Sequence, residues 1–364
     1  MERHIEIGVL FSRSGHYERL SNACRDGAMS GIAAVNEDPG RRVRFRAVER
    51  DPGGRIERYA PLCADLLSNT RARHVVGCIT SWSRKEAIPT LERHGGLLWY
   101  PAPYEGFEAN DHVVYTNASP NQHLVPLVAH VARRYGPHAF LLGSNYIWGW
   151  EMNRIARDLV ADAGGEVRGE RYLPLGDTDV SRLIAEIRAG LPDFVLNNLI
   201  GPSSYAFYEA YAALGREDAR FRADRRPVVS CNLTEAELCA IAPHGEGHLS
   251  SLAFVHDGAA GPRSSFEAAA HAAVTVLADA IEAAGTDEPS AVRRVLGQGT
   301  HRTALGTIRI DARTQHAELP MTIGRIRGSG FEVLETSAGG VEPDPYLSHY
   351  DPVATFRPPL RLVR

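Results

Sequence analysis

Residues 74–107 constrain the fold more than any other part of this chain, because they contain two apolar segments separated by one helical segment. The first apolar segment, residues 74–79, has the length and composition of a buried strand, and the second spans residues 97–100. Two strands joined by a helix form a parallel βαβ unit, in which the loops after the strands lie at one edge of the sheet. Open α/β sheets bind ligands at that edge. The stretch therefore predicts a ligand cleft at the ends of these strands.

Three side chains near these strand ends have the chemistry of ligand contacts, and each also has a structural interpretation. Ser81 begins the helix, so its hydroxyl can cap free backbone N–H groups or serve a ligand. Tyr100 and Tyr104 follow the second strand, where tyrosines pack with a satisfied hydroxyl more often than they contact a ligand. The pattern leaves both alternatives open for all three residues.

The composition is that of an ordinary globular protein large enough for two domains. The 364 residues exceed one ordinary core, and hydrophobic residues make up 44% and charged residues 23% of them. A net charge of −4 and a pI near 6.4 argue against broad binding to nucleic acid or to anionic membranes. No run approaches the roughly 18 consecutive apolar residues of a membrane span.

The N-terminus and the cysteines favour a cytoplasmic location. A strand begins at Ile5, which leaves no room for a secretion signal before it. The five cysteines are odd in number and lie scattered in apolar segments. We expect them to be reduced core residues and not disulfide partners or metal ligands.

Strands and helices alternate on both sides of the central stretch, and the alternation restarts near residue 122. The Ala-rich helix over residues 266–284 is too apolar to stand alone, which indicates that the chain returns to pack on the first set. We therefore predict an α/β fold of two Rossmann-like lobes with parallel sheets, joined by a multi-strand hinge that permits closure on a small ligand. Residues 1–118 and 256–320 form the N-terminal lobe, residues 119–255 and 321–345 the C-terminal lobe, and residues 346–364 an irregular tail.

The sequence lacks the common signatures of nucleotide and hydrolase sites. There is no Gly-x-Gly-x-x-Gly after the first strand, no phosphate loop and no Gly-x-Ser-x-Gly. His244 and His248 have metal-like spacing, but the glycines between them do not suit a helical metal motif, so we expect a turn with two exposed histidines. No nucleophile is paired with a base. We expect binding without turnover, with no cofactor and no metal.

Eight segments of the chain resemble the amide sensors that negatively regulate aliphatic amidase operons. These segments are residues 8–12, 51–54, 76–78, 83–85, 100–108, 120–122, 143–147 and 234–237. The resemblance runs from about residue 5 to residue 346, and the Tyr-Pro-x-Pro-Tyr-Glu-Gly-Phe-Glu motif at residues 100–108 is specific to this subgroup. The sensors belong to the type I periplasmic-binding-protein superfamily, alongside the branched-chain amino acid and urea binding proteins of ABC transporters.

The resemblance implies a cytoplasmic receptor that binds a short-chain amide between its lobes and, when poorly liganded, holds an RNA-binding antiterminator inactive. The ligand-contacting serine of the family falls on Ser81, and its cleft tyrosines fall on Tyr100 and Tyr146. Pro103 also matches, and Tyr104 lies in the shared motif. The Ser81 hydroxyl would both donate to and accept from the amide. By analogy with type I lobes, a homodimer through the first lobe is expected, without direct contact with nucleic acid or membrane.

Three pocket positions depart from the family pattern, and each lacks a hydroxyl found there in the family. They are Ile79, Ala102 and Trp148. Selectivity for a small polar ligand should weaken by on the order of 1–3 kcal/mol per unmet group, so we expect a more apolar neutral compound, such as a larger amide or a nitrile. Two alternatives stay open. One is a solute-binding protein of an ABC transporter for amides, urea or branched-chain amino acids, and the other is an enzyme that acts on the amide.

Overall fold

The N-terminal lobe is built on a parallel five-stranded sheet, in a computed structural model that describes residues 2–356. Its elements are β1 (Arg3–Leu10), α1 (Glu18–Glu37), β2 (Val43–Arg50), α2 (Tyr59–Asn69), β3 (His74–Gly77), α3 (Ser81–His94), β4 (Leu97–Tyr100) and β5 (Val113–Tyr115). The strand order is β2-β1-β3-β4-β5, and every neighbouring pair is parallel. The loops that follow β1, β3 and β4 therefore lie at one edge of the sheet.

The C-terminal lobe begins with α4, directly after the chain leaves β5. Its elements are α4 (Pro120–Arg134), β6 (Ala139–Ser144), α5 (Ile147–Asp162), β7 (Val167–Leu173), α6 (Ser181–Gly190), β8 (Phe194–Asn198), α7 (Pro202–Glu217), β9 (Val228–Ser230), α8 (Glu235–Ile241) and β10 (Leu249–Leu252). Strands β6 to β10 are parallel to their neighbours in this group.

The remaining chain serves both lobes. Its elements are α9 (Ser265–Ala284), α10 (Pro289–Leu296), β11 (His301–Thr303), β12 (Gly306–Ile310), β13 (Ala317–Glu318), β14 (Thr322–Arg327), β15 (Gly330–Thr336) and α11 (Pro352–Phe356). Strands β14 and β15 join the second sheet as an antiparallel edge, which gives the order β15-β14-β10-β9-β8-β6-β7. Strands β11, β12 and β13 form a small antiparallel sheet. The predicted α/β fold with two lobes and mainly parallel sheets is confirmed.

Helix α9 returns the chain to the first lobe and packs along α1, which supplies the partner layer that its apolar surface requires. Gly27 of α1 makes this close approach possible, because a Cβ at that position would lie 2.1 Å from the carbonyl oxygen of Glu267. The chain passes between the lobes at residues 116–119, 253–264 and 319–321. The hinge predicted from the sequence would lie at these connections.

Several elements differ from the sequence expectation. The sequence pattern predicts a helix over residues 150–163, whereas α5 begins at Ile147, so Trp148 is helical. Polar alternation predicts strands over residues 307–311 and 322–326, which correspond to β12 and β14. Strands β11, β13 and β15 were not predicted. Within the predicted irregular tail, residues 352–356 form α11, and residues 357–364 lie outside the described residues.

Hydropathy and length identify no individual helix within residues 2–356 that could cross a membrane, although α9 and α10 together pass the same criteria as a pair bent by 101°.

Candidate functional site

Loops from the two lobes meet at the carboxyl ends of the parallel strands. Trp82 in the first turn of α3 contacts Tyr146, which precedes α5, with ring centroids 5.3 Å apart. Gly201 before α7 lies against His16, which follows β1, and a Cβ on Gly201 would come within 1.8 Å of the His16 carbonyl oxygen. The predicted cleft is therefore a surface along which the two lobes contact each other.

The interlobe site is the buried region defined by Ser81, Tyr100, Glu105, Tyr146 and Trp148. Each of these residues is at most 3% exposed. The first three belong to the N-terminal lobe and the last two to the C-terminal lobe. Burial raises the pKa of Tyr146 well above its usual range, and the neighbouring Tyr100 and Glu105 add to that shift from the opposite lobe. Both lobes thus contribute polar side chains to one site.

The residue that caps α3 is Thr80, so the capping interpretation of Ser81 does not hold. Thr80 Oγ1 accepts from the Ser83 backbone N–H at 3.1 Å, and Ser83 Oγ accepts from the Thr80 N–H at 3.0 Å. This capping box satisfies the free amides of the helix start. Two residues earlier, Cys78 has a φ of 65°, a conformation that costs on the order of 1–3 kcal/mol in a non-glycine residue and is common at functional sites.

Ser81 is instead hydrogen-bonded to Glu105, in the loop after β4. Ser81 Oγ donates to Glu105 Oε2 at 2.6 Å. Arg84, one helical turn after Ser81, donates from Nη2 to Glu105 Oε1 at 2.9 Å. Two residues of α3 therefore hold both oxygens of one carboxylate. The expectation that Ser81 donates to a ligand is corrected, because its single proton is used within the protein and only its lone pairs remain.

Arg84 is a fully buried cation at the centre of this network. Its Nε donates to Glu108 Oε1 at 2.7 Å, and its guanidinium carbon lies 4.8 Å from the centroid of the Tyr100 ring and 5.0 Å from that of Tyr104. Burial alone would lower the pKa of Arg84, but the carboxylates of Glu105 and Glu108 raise it well above its usual range. The cation is thus stabilised by two carboxylates and two aromatic faces.

Glu108 is the outer carboxylate of the network. Burial would raise its pKa, but attraction to Arg84 and hydrogen bonds from Arg84, Lys85 and Tyr115 lower the pKa to about 2. Lys85 Nζ lies 2.8 Å from Glu108 Oε2 and is partly exposed. The two cations and two carboxylates of this cluster therefore balance in charge.

Tyr104 directs its hydroxyl away from the interlobe site. The hydroxyl is within 2.9 Å of the Glu108 carbonyl oxygen and also contacts His316 Nε2. Its ring stacks on Tyr115 at 4.8 Å. The structure therefore gives Tyr104 a packing role beneath Arg84, whereas Tyr100 lies at the interlobe site, where burial raises its pKa.

His123 and Trp148 present unused polar atoms from the second lobe. His123 Nε2 donates to the Tyr104 carbonyl oxygen at 3.2 Å, which leaves Nδ1 as an acceptor. Burial lowers the pKa of His123 to about 4, so the ring is neutral at pH 7. The rings of His123 and Trp148 lie 5.9 Å apart. Neither His123 Nδ1 nor Trp148 Nε1 has a hydrogen-bond partner within residues 2–356.

The apolar positions singled out from the sequence lie near the ends of the strands that precede the site. Ile79 and Ala102 are buried at the ends of β3 and β4, and Pro103 is partly exposed. Pro103 and His123 border a cavity of about 10 Å³, which has room for about one water molecule. Thr234 and Ser251 also border it, and their hydroxyl oxygens lack partners among the described residues.

Several polar residues of this region were not identified from the sequence. Three of them lie in the segments that resemble the amide sensors, but the resemblance assigns them no role; they are Arg84, Glu105 and Glu108. One signal could have found them. Arg84 and Glu105 carry opposite charges and follow two neighbouring parallel strands, and charges that are buried there must pair with one another. His123 lies on the buried face of α4 and its sequence gave no comparable signal.

His248 is buried, which corrects the expectation of an exposed histidine. Its Nδ1 accepts from the Val228 backbone N–H at 2.9 Å, and burial lowers its pKa to about 3. The ring packs near Tyr208 and Tyr211, with centroids 5.5 Å and 5.7 Å away. Among the described residues no cluster of three or more His, Cys, Asp or Glu side chains is arranged to hold a metal ion.

A family model described as a periplasmic binding protein domain matches residues 5–261 and 255–352. Similar solved structures include an ABC transporter solute-binding protein from Rhodopseudomonas palustris HaA2 in complex with p-hydroxybenzoic acid. The TM-score is 0.83 at 19% identity, covering 96% of this chain and 100% of that chain.

Two further structures share the fold. One is an R. palustris ABC transporter solute-binding protein in complex with benzoate, with a TM-score of 0.81 at 18% identity, covering 94% of this chain and 98% of that chain. The other is a branched-chain amino acid transporter substrate-binding protein from Streptococcus pneumoniae in complex with isoleucine. Its TM-score is 0.76 at 16% identity, covering 92% of this chain and 99% of that chain.

Proposed function

Because this chain belongs to the periplasmic binding protein domain family, we propose that it is a receptor that binds one compact, uncharged molecule between its lobes, closes on it and releases it unchanged. Closure requires that the ligand bind the closed arrangement of the lobes more tightly than the open one. The interlobe site is the place proposed for this ligand.

The observation that carries the proposal is a set of buried polar atoms without partners, contributed by both lobes. Tyr17 supplies a hydroxyl from the loop after β1, and the second lobe supplies Trp148 Nε1, His123 Nδ1 and Thr234 Oγ1, all without partners within the described residues. Buried polar groups are normally hydrogen-bonded, and each unpaired one costs about 1–3 kcal/mol. A ligand between the lobes would supply the missing partners.

The charge balance of the interlobe site supports an uncharged ligand. Arg84 is already paired with Glu105 and Glu108, and Lys85 is paired with Glu108. A ligand carboxylate next to Ser81 would approach the Glu105 carboxylate without gaining an unpaired cation from this cluster. In this respect the proposed ligand differs from the benzoates and the amino acid named for the solved structures.

We favour a role in transport for the proposed receptor. The solved structures described above are solute-binding proteins of transporters, and they match nearly the full length of this chain. In this role the closed receptor would deliver its ligand to a membrane permease.

A thermal-shift screen followed by calorimetry tests the binding proposal. The probes are propionamide, urea, isoleucine, benzoate and p-hydroxybenzoate, and a ligand that binds only the folded protein at a hundredfold excess over its Kd adds about 2.7 kcal/mol of stability. We expect a shift with an uncharged probe, and recovery of that probe unchanged after incubation. A shift with the carboxylates or isoleucine alone would overturn the uncharged ligand, and appearance of a product would show an enzyme.

Regulation by an amide in the cytoplasm is the second candidate function. It is favoured by the motif at residues 100–108 and by the position of Ser81, in both of which the chain resembles the amide sensors. The test is size-exclusion chromatography of the purified chain with any RNA-binding antiterminator encoded beside its gene. Co-elution that propionamide abolishes would support regulation, whereas separate elution together with a neighbouring permease gene would support transport.

The same chromatography tests the expected homodimer. An apparent mass of twice 39.8 kDa would support the homodimer. Elution as a monomer at micromolar concentration would contradict it.

A further inference from the structure

We infer that Glu105 fixes the hydrogen-bond polarity of Ser81, so that the interlobe site selects ligands that donate an N–H or O–H and discriminates against acceptor-only molecules of the same shape. Glu105 is in this sense a positioning residue that acts through Ser81. The inference rests on the proposed function, since it concerns the ligand of that same site. It also narrows the class of ligand expected from the sequence, because that expectation included both amides and nitriles.

The first step is the position of one proton. A serine hydroxyl has one hydrogen to donate and two lone pairs that accept. Ser81 Oγ lies 2.6 Å from Glu105 Oε2, the short distance of a hydroxyl that donates to a carboxylate. What Ser81 offers to a ligand is therefore its lone pairs.

The second step is the fixed orientation of Glu105. Its other oxygen, Oε1, accepts from Arg84 Nη2 at 2.9 Å, and the side chains of Arg84 and Glu105 are 0% and 2% exposed. Water therefore has little access to replace Ser81 as the donor. If Ser81 turned its proton toward a ligand, Oε2 would lose a charge-assisted hydrogen bond in a buried place. The geometry thus holds Ser81 as an acceptor.

The third step concerns ligands of equal size. Propionamide has N–H groups that can donate to Ser81, whereas the nitrogen of propionitrile and the oxygens of propionate offer only lone pairs there. Propionate also brings a negative charge toward the Glu105 carboxylate. An unmet buried hydrogen bond corresponds to roughly five- to a hundredfold in affinity. We expect both acceptor-only probes to bind the wild-type protein at least about tenfold more weakly than propionamide.

The variant Glu105→Gln reverses the polarity. Arg84 can only donate, so the amide oxygen of the glutamine must face Arg84 and its NH₂ group must face Ser81. Ser81 then accepts from the glutamine, and its own proton becomes available to a ligand. The affinity ratio of propionamide to propionitrile should fall at least about tenfold relative to wild type.

Glu108→Gln is the matched control. Glu108 contacts the same guanidinium through Nε at 2.7 Å, and its removal changes the cluster by the same charge without touching Ser81. This variant should keep the wild-type ratio of the two affinities. If Glu105→Gln fails to fold, Ser81→Ala replaces it, and its affinity for propionamide should drop toward that for propionitrile.

The experiment is calorimetric titration of the full chain with the three probes, with a thermal melt of each variant. Wild-type affinities for the three probes within threefold of one another would overturn the inference and leave the proposed receptor function intact. An unchanged ratio in folded Glu105→Gln, or an equal change in Glu108→Gln, would also overturn it. Binding of propionate alone, or of none of the probes, would reject the proposed uncharged ligand and with it this inference.

Discussion

Ser81 and Glu105 join the first turn of α3 to the loop after β4 through a hydrogen bond of 2.6 Å. Arg84 lies three residues after Ser81 on α3 and holds the other oxygen of the same carboxylate at 2.9 Å. Residues three apart on a helix lie on the same face, so α3 presents a hydroxyl and a guanidinium side by side. The strand-end loops are thereby fixed to one another before any ligand binds.

Arg84→Met should lower the free energy of unfolding by about 3–5 kcal/mol, because it leaves the carboxylates of Glu105 and Glu108 buried without their cation. Urea denaturation measures this change. Lys85→Met is the control, since Lys85 pairs with Glu108 but is 44% exposed, and it should cost at most about 1 kcal/mol. Equal losses in the two variants would contradict the central role of the buried guanidinium.

Gly201→Ala should hinder closure of the lobes. The new Cβ would lie 1.8 Å from the His16 carbonyl oxygen across the cleft, so we expect at least tenfold weaker binding of a probe and a larger radius of gyration by X-ray scattering. Alanine also costs on the order of 1–3 kcal/mol at Gly201, because its φ of 57° and ψ of −131° lie outside the regions that residues with a Cβ normally adopt.

Gly328→Ala separates these two effects of Gly201→Ala. Gly328 has nearly the same φ, +58°, and a Cβ there would meet no described atom within 4 Å. This variant adds a Cβ at a positive φ without the clash, and it should keep wild-type affinity. Equal affinities in the two variants would show that the His16 contact does not govern closure.

Glu237→Gln should remove a pH dependence of stability. Burial raises the pKa of Glu237 from 4.5 to about 7, against the opposing effects of Tyr205 and Arg19. The folded protein therefore binds a proton more tightly than the unfolded chain, and the stability from this group is full below pH 4.5 and lost as pH rises to about 7.

Denaturation of wild type and Glu237→Gln between pH 5 and 8 tests this sign. The variant should gain on the order of 1–3 kcal/mol relative to wild type across that interval, since glutamine can still accept from the Tyr205 hydroxyl, which lies 2.7 Å from Glu237 Oε1. Parallel pH profiles for the two proteins would refute the raised pKa.

Trp148→Phe should weaken ligand binding more than it weakens the fold. The variant removes an indole N–H that has no partner in the described part of the chain, so its loss costs the ligand-free protein no hydrogen bond. We expect the affinity for an uncharged probe with a carbonyl group to fall by on the order of 1–3 kcal/mol. Calorimetry and thermal melts of the same samples compare the two effects, and unchanged affinity would remove Trp148 from the ligand contacts.

Much of the scaffold follows from local pattern. Apolar runs of strand length at β1, β3 and β4, separated by amphipathic helices, predict the parallel sheet and the common edge at which the loops after these strands lie. The start of α5 was predicted three residues late, because Tyr146, Ile147 and Trp148 carry no polar capping signal. Strand β15 was missed although it forms a hairpin with the preceding β14, because its residues are all at least partly exposed and give no apolar periodicity.

The sequence by itself determined the fold class and which loops end at the sheet edges, because periodicity and βαβ handedness are local rules. It left Ser81 with two structural meanings. Only the tertiary structure excluded the capping role, by placing Thr80 at the helix cap, and directed the Ser81 proton to Glu105 in a region closed to water. The direction of a hydroxyl proton depends on partners brought together from separate loops, and no local pattern encodes that arrangement.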